Sequence, residues 1–168
     1  MTTQSTRLFA LARSAVVATL FVGLWAWLVP SWFATMAHRT LTPDQPLGLI
    51  LLVPGAAIML RCVFDFAWSG HGTPAPFDPP RALVVTGLYR YVRNPMYVGM
   101  GLLLLGEALL FPAIRVPMFA TLLILGLAVN FLIIFYEEPT LRRSFGSDYE
   151  QYCRNVRRWW PRLTPYHP

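Results

Sequence analysis

The chain has 168 residues, of which 55% are hydrophobic and only 13% are charged, and its mean hydropathy is +0.47. This composition excludes an ordinary soluble globular domain and predicts one integral membrane domain covering residues 1–168. All 14 basic residues are arginine and flank apolar segments, which favours membrane orientation over nucleic-acid binding. The two cysteines show no CxxC or Cys/His spacing, so neither a metal site nor a disulfide is predicted.

Four apolar segments are long enough to be considered as membrane spans, namely residues 14–33, 46–66, 95–111 and 116–136. The expected fold is an all-α bundle of about four transmembrane helices with a cytosolic, helical carboxyl-terminal tail. The apolar run of the first segment is longer than that of a signal peptide, so we expect a retained anchor.

The arginine distribution predicts the orientation of this bundle. With four spans, twelve of the 14 arginines fall in the amino terminus, in the tail, or in the second loop and the adjoining end of the second span, and only Arg39 and Arg115 lie on the opposite side. Short cytoplasmic loops collect positive charge, so both termini are expected in the cytoplasm. We interpret the chain as a protein of a bacterial inner membrane.

The second loop, residues 69–93, is too rich in proline for a helix and too apolar for a solvated linker. It is interpreted either as a rigid connector or as a wall of a binding site. Asn94 and Pro95 then open the third span as N-cap and first helical residue. Beside them, Arg93 either forms an anion site with the helix amino terminus or extends to the membrane interface.

Glu137 and Glu138 stand at the predicted end of the fourth span, where a helix dipole disfavours carboxylates, so a cation is expected nearby. Tail arginines would make the pair structural, whereas the amine of a ligand would make it functional. Within the third span, Glu107 should face the bundle interior, with Arg61 as its expected partner. Arg61 can also pair with Asp65 at i,i+4.

Several spaced motifs, in order, resemble the membrane methyltransferases that include isoprenylcysteine carboxyl methyltransferase and the phospholipid N-methyltransferases. The resemblance runs over residues 72–161. It comprises a GTPxPxxxP-like loop, GxYxxxRNPxYxG over residues 87–99, EExxLxxxFGxxYxxY over residues 137–152 and VxRxxP over residues 156–161.

This resemblance implies S-adenosylmethionine bound near the cytosolic face and a lipophilic acceptor, free or lipid-attached, that approaches from the membrane lipids. Arg93 and the helix start at Asn94 and Pro95 would hold the polar end of the cofactor, and Glu137 and Glu138 would face its amine. The pocket wall would be formed by Tyr89, Tyr97 and Gly99.

The resemblance also implies that Arg158 would lie near the acceptor, where it would orient the acceptor's carboxylate if the acceptor carries one. Glu138 would accept the proton of an amine or thiol. The prenylcysteine enzymes have histidine where this chain has Asn94, which argues against acid–base chemistry at that position and against a prenylcysteine substrate.

The alternative is a non-catalytic membrane protein that keeps the fold, in which Glu137 and Glu138 pair with Arg142, Arg157 or Arg158. A transporter is disfavoured, since no span carries a row of polar residues and no inverted repeat is visible. The acceptor and the oligomeric state are not specified by the sequence.

Overall fold

The computed structural model describes residues 22–65 and 82–167, together with residues 12, 16, 19 and 20. Within these residues the regular structure is entirely helical, as the all-α prediction requires. The amino-terminal part of the first predicted span and most of the proline-rich loop fall outside the described residues.

The first two helices follow the apolar segments. A π-helical turn, Leu24–Leu28, leads into helix α1, Val29–Met36. A 3₁₀ turn, Pro46–Gly48, leads into helix α2, Leu49–Asp65.

The second half of the chain begins with a 3₁₀ turn, Gly87–Arg90, and helix α3, Pro95–Leu110. Helix α4, Arg115–Leu132, follows the turn Pro112–Ile114, and a π-helical turn, Ile133–Glu137, joins it to helix α5, Glu138–Asn155. These last elements form one continuous helical segment of 44 residues.

Two helical segments, Pro46–Asp65 and Pro112–Asn155, are long and apolar enough to cross a membrane. Helix α3 is apolar but has only 16 residues, fewer than the roughly 20 that a spanning helix needs. The outer side of α4 is highly exposed, with Val116 at 79% and Phe135 in the following turn at 71%, as expected for a lipid-facing surface. The described fold is that of an all-α membrane protein, and the count of four spans stays a prediction.

The expectation that Glu137 and Glu138 end a helix is wrong. The helix continues through both residues as far as the kink at Gly146, so no carboxyl-terminal dipole acts on them. The change at this point is a π turn, which inserts an extra residue into the helical repeat and thereby alters the direction in which the following side chains point. The helix bends farther on, at Gly146, whose φ of 49° and ψ of −123° are accessible almost only to glycine.

Helices α2 and α3 pack antiparallel with their backbones in close contact. A methyl group added to Gly55 would lie 2.6 Å from the Leu103 nitrogen, and one added to Gly106 would lie 2.6 Å from the Leu52 nitrogen. Glycine is required at these positions because backbone atoms, rather than flexible side chains, occupy the space. This contact fixes where α3 begins, and α3 begins beside the candidate site.

We expect Gly106→Ala to lower the thermal midpoint in detergent, because the added methyl group forces two helices apart at a cost of about 1–3 kcal/mol. Gly126→Ala on α4 is the matched control, since nothing lies within 4 Å of its added methyl group. There the higher helix propensity of alanine should stabilise the protein by about 1 kcal/mol. Equal effects of the two substitutions would contradict the close α2–α3 contact.

Candidate active site

The buried carboxylate of Glu138 is bound by three arginines from three parts of the chain. Oε1 lies 2.7 Å from Arg158 Nε and 3.2 Å from Arg93 Nη1, and Oε2 lies 3.3 Å from Arg142 Nη2. Glu138 is only 4% exposed. We call these four residues the Glu138 cluster. It joins the turn before α3, helix α5 and the carboxyl-terminal tail at one point.

One local ion pair and one long-range backbone hydrogen bond bring these arginines to Glu138. Arg142 stands one turn after Glu138 on α5, at the i,i+4 spacing that suits an ion pair. Arg93 immediately precedes the start of α3, and its backbone nitrogen donates to the Arg157 carbonyl at 2.9 Å. That bond holds the tail so that Arg158, the next residue, reaches Glu138.

The cluster carries excess positive charge, because three guanidinium groups face one carboxylate. These groups stabilise the ionised form of Glu138, and the hydrogen bond to Glu138 raises the pKa of Arg158 above its ordinary value. The Nε of Arg93 is buried and has no hydrogen-bond partner within the described part of the chain. The excess positive charge and the partial accessibility of Arg142 and Arg158 suit an additional anionic ligand.

A second carboxylate lies beside the cluster with a different environment. The hydroxyl of Tyr97 donates to Glu137 Oε1. No arginine pairs with Glu137 among the described residues, so the two neighbouring glutamates are not equivalent. Glu138 is enclosed by cations, whereas Glu137 is partly exposed and has a neutral donor.

The start of α3 only partly follows the sequence prediction. Pro95 is the first helical residue and Asn94 occupies the N-cap position, but the Asn94 side chain makes no capping hydrogen bond. Its Nδ2 instead donates to the Arg158 carbonyl at 3.3 Å. Asn94 thus joins Arg93 in holding the tail against the cluster.

Two predicted pocket residues contact the protein interior. Tyr89 is 7% exposed, and burial raises the pKa of its phenol well above the ordinary value. Its carbonyl accepts a hydrogen bond of 2.6 Å from the Tyr152 hydroxyl. Gly99 does permit a close approach, but the atoms that approach it are the Gly55 carbonyl and Ile58 Cγ2 of helix α2.

The expected pairing of Glu107 with Arg61 is wrong. Arg61 Nη2 instead binds Asp65 Oδ1 at 3.0 Å, the i,i+4 pair that the sequence also predicted. The antiparallel packing explains the separation, because Gly106 meets Gly48, which lies about 20 Å from Arg61 along α2. Glu107 is buried, and its Oε2 has no hydrogen-bond partner among the described residues.

Sequence reasoning missed two contacts around the cluster. Arg93 Nη1 donates to Cys153 Sγ at 2.7 Å, and Trp159 Nε1 donates to Asn130 Oδ1 at 3.4 Å. Both contacts join residues that are distant along the chain, so no local spacing in the sequence predicts them. No group of three or more His, Cys, Asp or Glu side chains that could hold a metal ion occurs within residues 22–65 and 82–167.

A family model described as phospholipid methyltransferase matches residues 44–148, well over half of the chain. The chain belongs to this family. The match confirms the resemblance drawn from the motifs, and it implies a membrane methyltransferase that acts on lipid-type acceptors. No curated protein and no solved structure gave a significant match. The matched region contains Arg93, Glu138 and Arg142 but not Arg158, which lies in the VxRxxP motif and which the structure places against Glu138.

We expect Arg158→Gln to lower the free energy of unfolding by about 1.5–3 kcal/mol, because it removes the shortest charged contact to a buried carboxylate. Arg143→Gln is the control, since exposed Arg143 bonds only the Thr140 hydroxyl among the residues that the structure describes, and its loss should change stability by about 0.5 kcal/mol or less. Unfolding by denaturant in detergent measures both. A similar small effect of the two variants would show that Arg158 does not bind Glu138 in solution.

Proposed function

We propose that this protein transfers a methyl group from S-adenosylmethionine to a lipophilic acceptor dissolved in the membrane. The reaction would take place at the cytosolic face, where the predicted four-span orientation would put the Glu138 cluster. The observation that carries the proposal is the cluster itself, a positively charged group of residues inside the segment that matches the methyltransferase family and its tail.

The residues of the site fit the amino-acid end of this cofactor. Its carboxylate would bind the arginines of the cluster, of which Arg142 and Arg158 are partly accessible. Its amine would face Glu137, which accepts a hydrogen bond from the Tyr97 hydroxyl. Asn94 and Pro95 would hold the α3 start in place, while Tyr89 and Gly99 would support the site through packing.

Glu138 would orient the three arginines rather than act as a base. A general base works best when its proton affinity matches the operating pH, and three guanidinium groups oppose protonation of Glu138. Arg158 would orient the acceptor if the acceptor carries a carboxylate. An amine or thiol acceptor would transfer its proton to Glu137 or to water.

When bound, the cofactor supplies an activated methyl group, whose transfer to a nucleophile leaves a neutral thioether. The contribution of the protein would be alignment of the two reactants and exclusion of water. The π turn before Glu138 supports this proposal, because single π turns within α-helices are frequent at functional sites.

A specific observation also favours the non-catalytic alternative. Arg142 and Arg158 pair with Glu138, as that hypothesis expects of a structural group. Substitution of Glu138 cannot separate the two ideas, because it would disturb both stability and binding. Glu137 can separate them, since it is bonded to Tyr97 and lies outside the arginine contacts.

We expect S-adenosylmethionine and S-adenosylhomocysteine to bind the nanodisc-embedded protein in calorimetry, and Glu137→Gln to weaken binding by about tenfold, the loss of one charged contact of roughly 1.4 kcal/mol. The thermal midpoint without cofactor should stay close to that of the unmodified protein. Arg143→Gln should change neither quantity.

Absence of binding to the unmodified protein would overturn the proposal and favour the non-catalytic alternative. If the cofactor binds, the same nanodiscs, supplied with methyl-labelled cofactor and phosphatidylethanolamine or prenylcysteine acceptors, distinguish acceptor classes by which product carries the label.

A further inference from the structure

The carboxyl-terminal tail exposes large apolar side chains although its backbone is held firmly. Leu163 is 99% exposed and Trp160 is 75% exposed. The backbone nitrogens of Arg162 and Tyr166 donate to the carbonyls of Tyr91 and Arg90, both at 2.9 Å. The exposed residues therefore lie in a segment that is fixed at both ends, rather than on a free chain end.

The position of Trp159 shows where this segment lies relative to the apolar helix. Its indole nitrogen donates to Asn130 in α4. Asn130 precedes Glu137 by seven residues, or about 10 Å along a helix. The neighbouring side chain of Phe131 is 59% exposed on the lipid-facing side of α4. Trp159 thus reaches the depth of the predicted membrane span.

Exposed arginines precede this apolar segment of the tail. Arg154 and Arg157 are exposed and form no ion pair within the described part of the chain. Tryptophan and leucine beside unpaired arginines are typical of segments that lie in the membrane interface, where apolar side chains enter the lipid and arginines meet phosphates.

We propose that residues 158–163 form an interfacial segment, in which the side chains of Trp160 and Leu163 insert into the phospholipid bilayer beside α4. The inference rests on the membrane position of α4 that the proposed function also assumes. It gives the tail a second support besides its bonds to residues 90–93. Insertion on one side and backbone hydrogen bonds on the other would hold Arg158 against Glu138.

Spin labels in vesicles of phosphatidylcholine and phosphatidylglycerol test this placement. Single cysteines at Leu163→Cys, Phe131→Cys and Ser144→Cys would be labelled in a background carrying Cys62→Ala and Cys153→Ser, after its thermal midpoint has been checked. Collision with oxygen reports lipid exposure, and collision with a nickel chelate reports water exposure. Phe131 on α4 is the lipid control, and Ser144 on α5 is the water control, because it is exposed on a polar helix.

The oxygen-to-nickel ratio at position 163 should match that at position 131 and exceed that at position 144 severalfold. A ratio like that of position 144 would overturn the inference, and so would low accessibility to both reagents, which would indicate a protein partner or a second copy. A water-like ratio at position 131 itself would instead refute the membrane position of α4, and with it the setting of the proposed function.

Discussion

The ion pairs of Glu138 are the interaction on which the rest of this structure depends. A carboxylate removed from water is costly unless it is fully paired, so this one side chain requires Arg93, Arg142 and Arg158 to converge. That convergence brings the start of α3, the helix after the π turn and the tail to one place. A single buried charge thereby determines how three chain segments, far apart in sequence, are arranged.

The two adjacent glutamates illustrate how different environments give identical side chains different roles. Glu138 is surrounded by cations and has little capacity left for a ligand. Glu137 is bonded to the Tyr97 hydroxyl and remains partly accessible. In the proposed reaction Glu138 orients the arginines and Glu137 binds the amine of the cofactor. A division of this kind needs no difference in residue type, only the different directions in which neighbouring side chains leave a helix.

Much of this architecture is local and could be predicted from the sequence. Helical apolar segments, the helix start at Pro95 and the i,i+4 pair of Arg61 and Asp65 all depend on spacing of a few residues. The pairing of Glu107 failed because it depends on which ends of α2 and α3 are adjacent, a matter settled by glycine contacts. The sequence named Arg158 as one of three candidate partners of the glutamates but could not select it, and the contact of Trp159 with Asn130 was not predicted. Both depend on where the chain returns after α5.

The continuity of the helical segment Pro112–Asn155 has a mechanical consequence. A helix that crosses a bilayer adjusts to membrane thickness by changing its tilt. If the segment crosses the bilayer, Glu138 stands just beyond its apolar portion, and a change in tilt would act on the contact between this carboxylate and Arg93. The length of the lipid chains would then influence the geometry of the site. Membrane thickness would affect the reaction in addition to the role of the lipid as a solvent for the acceptor.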